Sequence, residues 1–238
     1  IEDGAQVFQK NDDVMATFNM NIDAPASWEN DHSHGWQFIA SPMKDATTAS
    51  FVPADGYDLF KYDGAQDSQW VNYKRHANID FETNFYQGRA YLASYKTSSK
   101  VAFEGTLNHE TNYTFSEFRA YDEGDHYANF YLLGNPFAFN MDWANVTAEG
   151  LASGLAVVTL DGNYKYAVDT VINVGDGFFV MVTGAEPSLT YNSNVRSRRV
   201  KHNFINLVAS SKYGSDNVII NFAGNNEEGF AKLENFNK

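Results

Sequence analysis

The chain has 238 residues, 43% of them hydrophobic and none of them cysteine. That is enough apolar material for one large β-sandwich or two ordinary domains, and it excludes disorder, disulfides, thiolate zinc sites and thiol catalysis. A formal net charge of -13 repels polyanions, so nucleic acid and anionic membrane surfaces are poor partners, and neutral sugars, cations or basic proteins remain.

The 19 Phe, 14 Tyr and 4 Trp favour half-buried pleated surfaces, and helical periodicity is nearly absent, which predicts an all-β fold. No apolar run approaches the ~18 to 20 residues that cross a bilayer, so no membrane insertion is expected. The start at Ile1 rather than Met reads as a processed or excised fragment.

Residues 1–30 read as an N-terminal strand region. Within it Val14, Ala16, Phe18, Met20 and Ile22 alternate with Met15, Thr17, Asn19 and Asn21. A first β-sandwich repeat is expected over residues 31–119. It opens on Asp31-His32-Ser33-His34, where two imidazoles share a side but no third ligand stands at a defined spacing, so a solvated loop fits better than a metal site. The run from Trp36 to Pro42 is a strand stopped by a residue that cannot donate to a ladder. Leu59 to Tyr62 is a strand that runs into the turn dipeptide Asp63-Gly64. Gly88 permits a tight bend before a strand to Ala93, and Val101, Phe103, Gly105 and Leu107 alternate inward.

A second repeat is expected over residues 120–212, because these features return in order. Phe130 to Pro136 matches Trp36 to Pro42, Val157 to Gly162 matches Leu59 to Gly64, Asp176 to Val182 matches Gln87 to Ala93, and Ser188 to Tyr191 matches Lys100 to Phe103. The pattern predicts two tandem, pseudo-repeated, antiparallel β-sandwich units of jelly-roll type, or one sandwich with pseudo-symmetric halves. Residues 213–238 read as a C-terminal strand and the start of a following segment. Ser210 to Asp216 is expected to be a loop between strands at Phe204 to Ala209 and Val218 to Phe222.

The Gly-Trp-x-x-Ile-x-x-Pro strand at Gly35 to Pro42, its Leu-x-Gly-Asn-Pro-Phe form at Leu132 to Phe137 and the Gly-Phe-Phe-Val strand at Gly177 to Val180 resemble modules of large secreted or surface-anchored proteins of the Bacteroidetes, the lineage that uses type IX secretion. The opening Ile1 to Val7 and the close at Glu228-Gly229-Phe230 resemble the segments that flank such modules. The resemblance implies a secreted or cell-surface location and flanking domains of a longer chain. It carries no catalytic motif. Ala40-Ser41 in the first copy departs from Gly134-Asn135 in the second.

No nucleophile elbow, Asp-Thr-Gly or His-Glu-x-x-His is present, so the chain is expected not to be an enzyme. Asp55, Asp58, Glu82 and Glu104 are acids from which a glycosidase pair could be drawn, but 30 acidic residues make some pair inevitable. Trp28, Trp70, Tyr73 and Trp143 lie among amides and carboxylates, the setting of a sugar-stacking platform, and are the candidate ligand-binding residues. Trp36, inside a repeat anchor, reads as core. Asp122 and Asp125, in the acidic loop from Tyr121, are a weak calcium candidate, and no other cofactor is indicated. The basic run Arg196 to His202 reads as a solvated connection. The function expected is therefore a non-catalytic module that binds a carbohydrate or an extracellular protein. A structural spacer is the alternative, and a glycoside hydrolase is third.

Overall fold

The computed structural model describes residues 1–8, 11, 13–28, 35–52, 56–76, 81–108, 112–152, 155–158, 164–167, 171–191, 204–211 and 214–221. The chain divides into two compact units, Ile1–Ser197 and Arg198–Lys238. In the first, the strands are β1 (Met15–Ile22), β2 (Gln37–Ala40), β3 (Tyr57–Tyr62), β4 (Trp70–Asn72), β5 (Ala90–Tyr95), β6 (Ser99–Thr106), β7 (Tyr113–Phe115), β8 (Phe130–Gly134), β9 (Met141–Asp142), β10 (Val146–Glu149), β11 (Leu155–Val158), β12 (Tyr164–Ala167), β13 (Val171–Ile172), β14 (Gly177–Met181) and β15 (Ser188–Tyr191). Their pairings are antiparallel. Among the described residues, helix is confined to the single turn α1 (Tyr73–His76) and three 3-10 turns, so the fold is all-β.

The period-2 patterns of β1 and β6 explain the first layer. Phe18, Met20 and Ile22 on β1 and Val101 and Phe103 on β6 point inward, in a register that sets Phe18 opposite Phe103 and Met20 opposite Val101. Against them lies the sheet β2-β5-β3-β4, which contributes Ile39, Leu59, Val71, Tyr91 and Tyr95 to the same core. A second core has the same build. Phe115, Leu189 and Tyr191, from the sheet β10-β15-β7, pack with Leu133, Phe178 and Val180, from the sheet β12-β11-β14-β8. Burying each of these large side chains contributes about 1.5 to 3 kcal/mol relative to exposure.

The two four-stranded sheets meet through their other faces. Phe38, Ala40, Ala90 and Leu132 form a third buried cluster, flanked by Tyr62, Trp70, Leu92 and Phe179. Strand order corresponds across it: β2-β5-β3-β4 in one sheet and β8-β14-β11-β12 in the other. Register corresponds too, since Ala40 pairs with Ala90 as Gly134 pairs with Gly177. The contacts between the halves are reciprocal. The Ala40 N–H donates to Gly175 O at 2.8 Å and the Gly134 N–H to Gly88 O at 3.0 Å, while Ile39 bridges to Asp176 and Leu133 to Arg89.

The registers revise two sequence matches. Phe60, which pairs with Leu92, corresponds to Ala156, which pairs with Phe179, and not to Val158. Gly175, not Gly177, stands where Gly88 stands: both have positive φ, +84° and +78°, and each lies two residues before the residue that pairs with Gly134 or Ala40. A two-residue slip leaves every side chain on its proper face, so the hydrophobic pattern alone could not detect it. Gly177 and Gly134 are glycine for another reason. A Cβ at Gly134 would overlap the Ala40 Cβ, and one at Gly177 would overlap the Ala90 Cβ. Alanine in one half therefore requires glycine in the other.

The neighbouring difference, Ser41 against Asn135, conserves one turn contact with different chemistry. Ser41 Oγ accepts from the Met43 N–H at 3.1 Å and Asn135 Oδ1 from the Phe137 N–H at 2.9 Å.

In the second unit, β16 (Phe204–Ser211) and β17 (Gly214–Asn221) form a hairpin whose ladder ends with Ser211 opposite Gly214. The loop expected from Ser210 to Asp216 is thus mostly strand, because small polar residues are tolerated beside a tight hairpin turn. The Asp161-Gly162 turn, His32 and His34, and Arg196 to His202 lie outside the described residues.

Truncating Phe38 or Leu132 to Ala should cost ~2 to 5 kcal/mol in denaturant melts, and a loss below about 0.5 kcal/mol would place that side chain outside the buried cluster. Gly134→Ala should destabilise by ~1 to 3 kcal/mol through overpacking. Adding Ala40→Gly should then recover part of the loss, and a double variant no better than the single one would contradict the close approach.

Candidate binding site

Where the halves meet, the structure leaves a cleft with a volume of about 70 Å³. The end of β3 and its turn contribute Lys61, Tyr62 and Asp63, the start of β5 contributes Arg89, and Glu82 lies before it. From the other half come Phe115 at the end of β7, Glu117 and Arg119 just after it, and Phe130 and Tyr131 on β8.

The charged groups compensate one another. Arg89 binds Glu117 at 2.5 Å and approaches Glu82 at 3.8 Å, Lys61 binds Glu82 at 3.3 Å, and Arg119 reaches Asp63 at 3.9 Å. The Arg89–Glu117 and Asp63–Arg119 pairs cross between the halves. Tyr86 donates its hydroxyl to Glu117, and its ring lies 5.0 Å from the Arg89 guanidinium. Glu82 Oε2 is shielded from solvent and has no hydrogen-bond partner, a costly arrangement for a carboxylate oxygen.

Tyr62 forms the aromatic wall. Its ring packs edge-on against Trp70 at 5.1 Å and Phe179 at 5.0 Å, and its hydroxyl donates to Tyr127 O at 3.2 Å. Burial, followed by the charge of Asp125, pushes its hydroxyl pKa up to about 12. Burial also raises Tyr91, Tyr95 and Tyr191, whereas Tyr86 is raised first by its bond to Glu117.

Of the four aromatic candidates from sequence, only Trp70 adjoins this cleft, half-buried behind Tyr62. Trp28 is half-buried elsewhere, with Lys74 Nζ 5.8 Å from its ring. Lys74 also lies 5.0 Å from the Tyr57 ring and 2.9 Å from Asp58, whose side chain is fully buried. Tyr73 is half-buried against Phe81 at the margin of the first core. Trp143 departs from the exposed platform expected of it: it is 9% exposed, edge-on to Phe178 inside the second core. Its polar neighbour Asp142 accepts from the Ala144 N–H at 3.2 Å and so caps a 3-10 turn. Trp36, expected in the core, is half-buried and edge-on to Phe60 at 5.7 Å.

The acidic loop is organised by its own backbone. Asp122 Oδ1 accepts from the Gly124 N–H at 2.8 Å, Asp125 Oδ1 from Tyr127 and Ala128 at 3.0 and 3.2 Å, and Asn129 bonds Asp122 and Asp125 carbonyls. Among the described residues no group of three or more His, Asp or Glu side chains is gathered to hold a metal ion.

The acids considered for a glycosidase pair are dispersed. Asp58 is paired with Lys74, Glu104 is exposed on β6, Glu82 is in the cleft, and Asp55 lies outside the described residues. Glu117, Arg89 and Arg119 had not been singled out from sequence. The pairs that join the halves, Arg89 with Glu117 and Arg119 with Asp63, are distant along the chain, and no motif spacing marks them. Compared with known protein families, curated proteins and solved structures, the chain shows no match.

The raised tyrosines give a pH dependence of definite sign. The neutral phenol is favoured in the folded state, so this stabilisation is complete below the unfolded-state pKa of about 10. It is lost as pH rises from there through the folded value of about 12 at Tyr62. Absorbance titration should show exposed tyrosines ionising first and this group only above pH ~11 with the onset of unfolding. Titration of all tyrosines near pH 10 in the folded protein would contradict the burial described.

Proposed function

We propose that the chain is a non-catalytic, secreted or cell-surface module of two tandem jelly-roll-like β-sandwich units, and that it binds carbohydrate in the cleft between them. The observation that carries this reading is the cleft itself, where the rings of Tyr62, Phe130 and Tyr131 stand beside the polar groups of Glu82, Arg89 and Glu117. A pyranose offers both complements, hydroxyl donors for the carboxylate and a C–H face for the rings. The net charge of -13 favours such a partner over a polyanion. The likeness of Gly35 to Pro42 and Gly177 to Val180 to surface modules of the Bacteroidetes supports the location. Calcium at Asp122 and Asp125 belongs to the same reading as an accessory ligand.

The spacer reading has one observation in its favour: the reciprocal hydrogen bonds of Ala40 and Gly134 suit a rigid rod as well as a binding platform.

A glycan array on the purified protein, followed by tryptophan fluorescence titration of the hits, separates the two. The binding reading predicts saturable hits that perturb Trp70 through Tyr62, and Glu82→Ala should weaken them by ~1 to 3 kcal/mol without unfolding the protein. No binding to any glycan, with or without millimolar calcium, would leave the spacer. Release of reducing sugar from a bound oligosaccharide would make the protein a hydrolase.

A further inference from the structure

We infer that the carbohydrate this cleft accepts carries a carboxylate, as uronic and sialic acids do, and that Arg119 receives it. The inference rests on the carbohydrate reading above and adds the class of sugar.

Three cations face the cleft, and they are committed to different degrees. Arg89 bridges Glu117 and Glu82 and is covered by the Tyr86 and Phe115 rings, at 5.0 and 5.9 Å. Lys61 is 16% exposed and bound to Glu82. Arg119 differs: its side chain is 60% exposed, and its ion pair with Asp63, at 3.9 Å, is beyond hydrogen-bond reach. Asp63 is itself engaged by its own turn, accepting from the Ala65 N–H at 3.2 Å and from Gln66 Nε2 at 3.5 Å.

The backbone beneath Arg119 is nonetheless fixed, because its N–H donates to the Tyr131 hydroxyl at 2.8 Å. Tyr131 lines the cleft, and its ring packs edge-on to Phe118 at 4.9 Å. A guanidinium on an anchored backbone, with its planar donors uncommitted, is matched by the two oxygens of a carboxylate. In a protein of net charge -13, an anionic ligand needs such a local cation to offset the general repulsion.

The test uses the whole chain on a panel of short oligosaccharides that carry a single uronic or sialic acid, beside neutral galactan and glucan and a sulfated galactan, followed by calorimetry on the best binder. The acidic sugars should bind about tenfold more tightly than their methyl esters at low salt, an advantage that shrinks as ionic strength rises. Arg119→Gln should abolish that advantage with the melting temperature unchanged, and Arg119→Lys should restore part of it. Equal binding of acid and ester, hits confined to neutral or sulfated glycans, or an unaffected acid preference in Arg119→Gln would overturn the inference while leaving the carbohydrate reading in place. No binding across the panel would remove that reading itself.

Discussion

The architecture of residues Ile1–Ser197 depends on how closely two backbones approach at one point. Ala40 and Ala90 in one sheet face Gly134 and Gly177 in the other, beside Phe38 and Leu132, so the glycines have no room for a Cβ. Close packing of this kind tolerates little added volume, which makes these positions stricter than the larger cores on either side. The reciprocal hydrogen bonds to Gly88 and Gly175 add direction to the contact. With the halves fixed in this way, everything at the rim of the junction follows, including the cleft.

That cleft is a product of the junction and not of either half. Arg89 stands at the start of β5 because Gly88 turns the chain into that strand, and Glu117 is brought to it from the segment after β7. Tyr62 and Asp63 close the other side through Tyr127 and Arg119. Salt bridges at such a surface contribute little individually, and their value lies in orientation: they hold charged donors and acceptors in place around a small space. Apolar packing supplies the stability, and the ion pairs lie at the rim. The division parallels the chain itself, in which hydrophobic strands alternate with loops that hold the functional groups.

How much of this was legible in sequence depends on range. The alternation of β1 and β6 is local, and it identified the buried face residue by residue, from Phe18 to Ile22 and from Val101 to Leu107. Three of the four repeated segments fall on strands with corresponding places in the two four-stranded sheets, β2 with β8, β3 with β11 and β5 with β14, whereas the fourth falls on β6 and β15 in sheets of different size, and two-residue slips were invisible to a period-2 pattern. The site was much less legible. Arg89 and Glu117 are 28 residues apart, and only the junction makes them neighbours. Trp143 was misleading for a physical reason, since a polar residue beside a ring can serve the backbone, as Asp142 does, and leave the ring in the core.

The central claim is that the junction forms a sugar-binding cleft, and the most direct measurement is NMR of the isotope-labelled chain during titration with the oligosaccharide bound most tightly on the array. The account predicts progressive shifts at the side-chain Nε–H of Arg89 and Arg119 and at the amides of Glu82, Glu117 and Tyr131, with β1 and β6 unmoved. Shifts centred instead on Trp28 and Tyr73, or absent from the cleft at saturation, would contradict it.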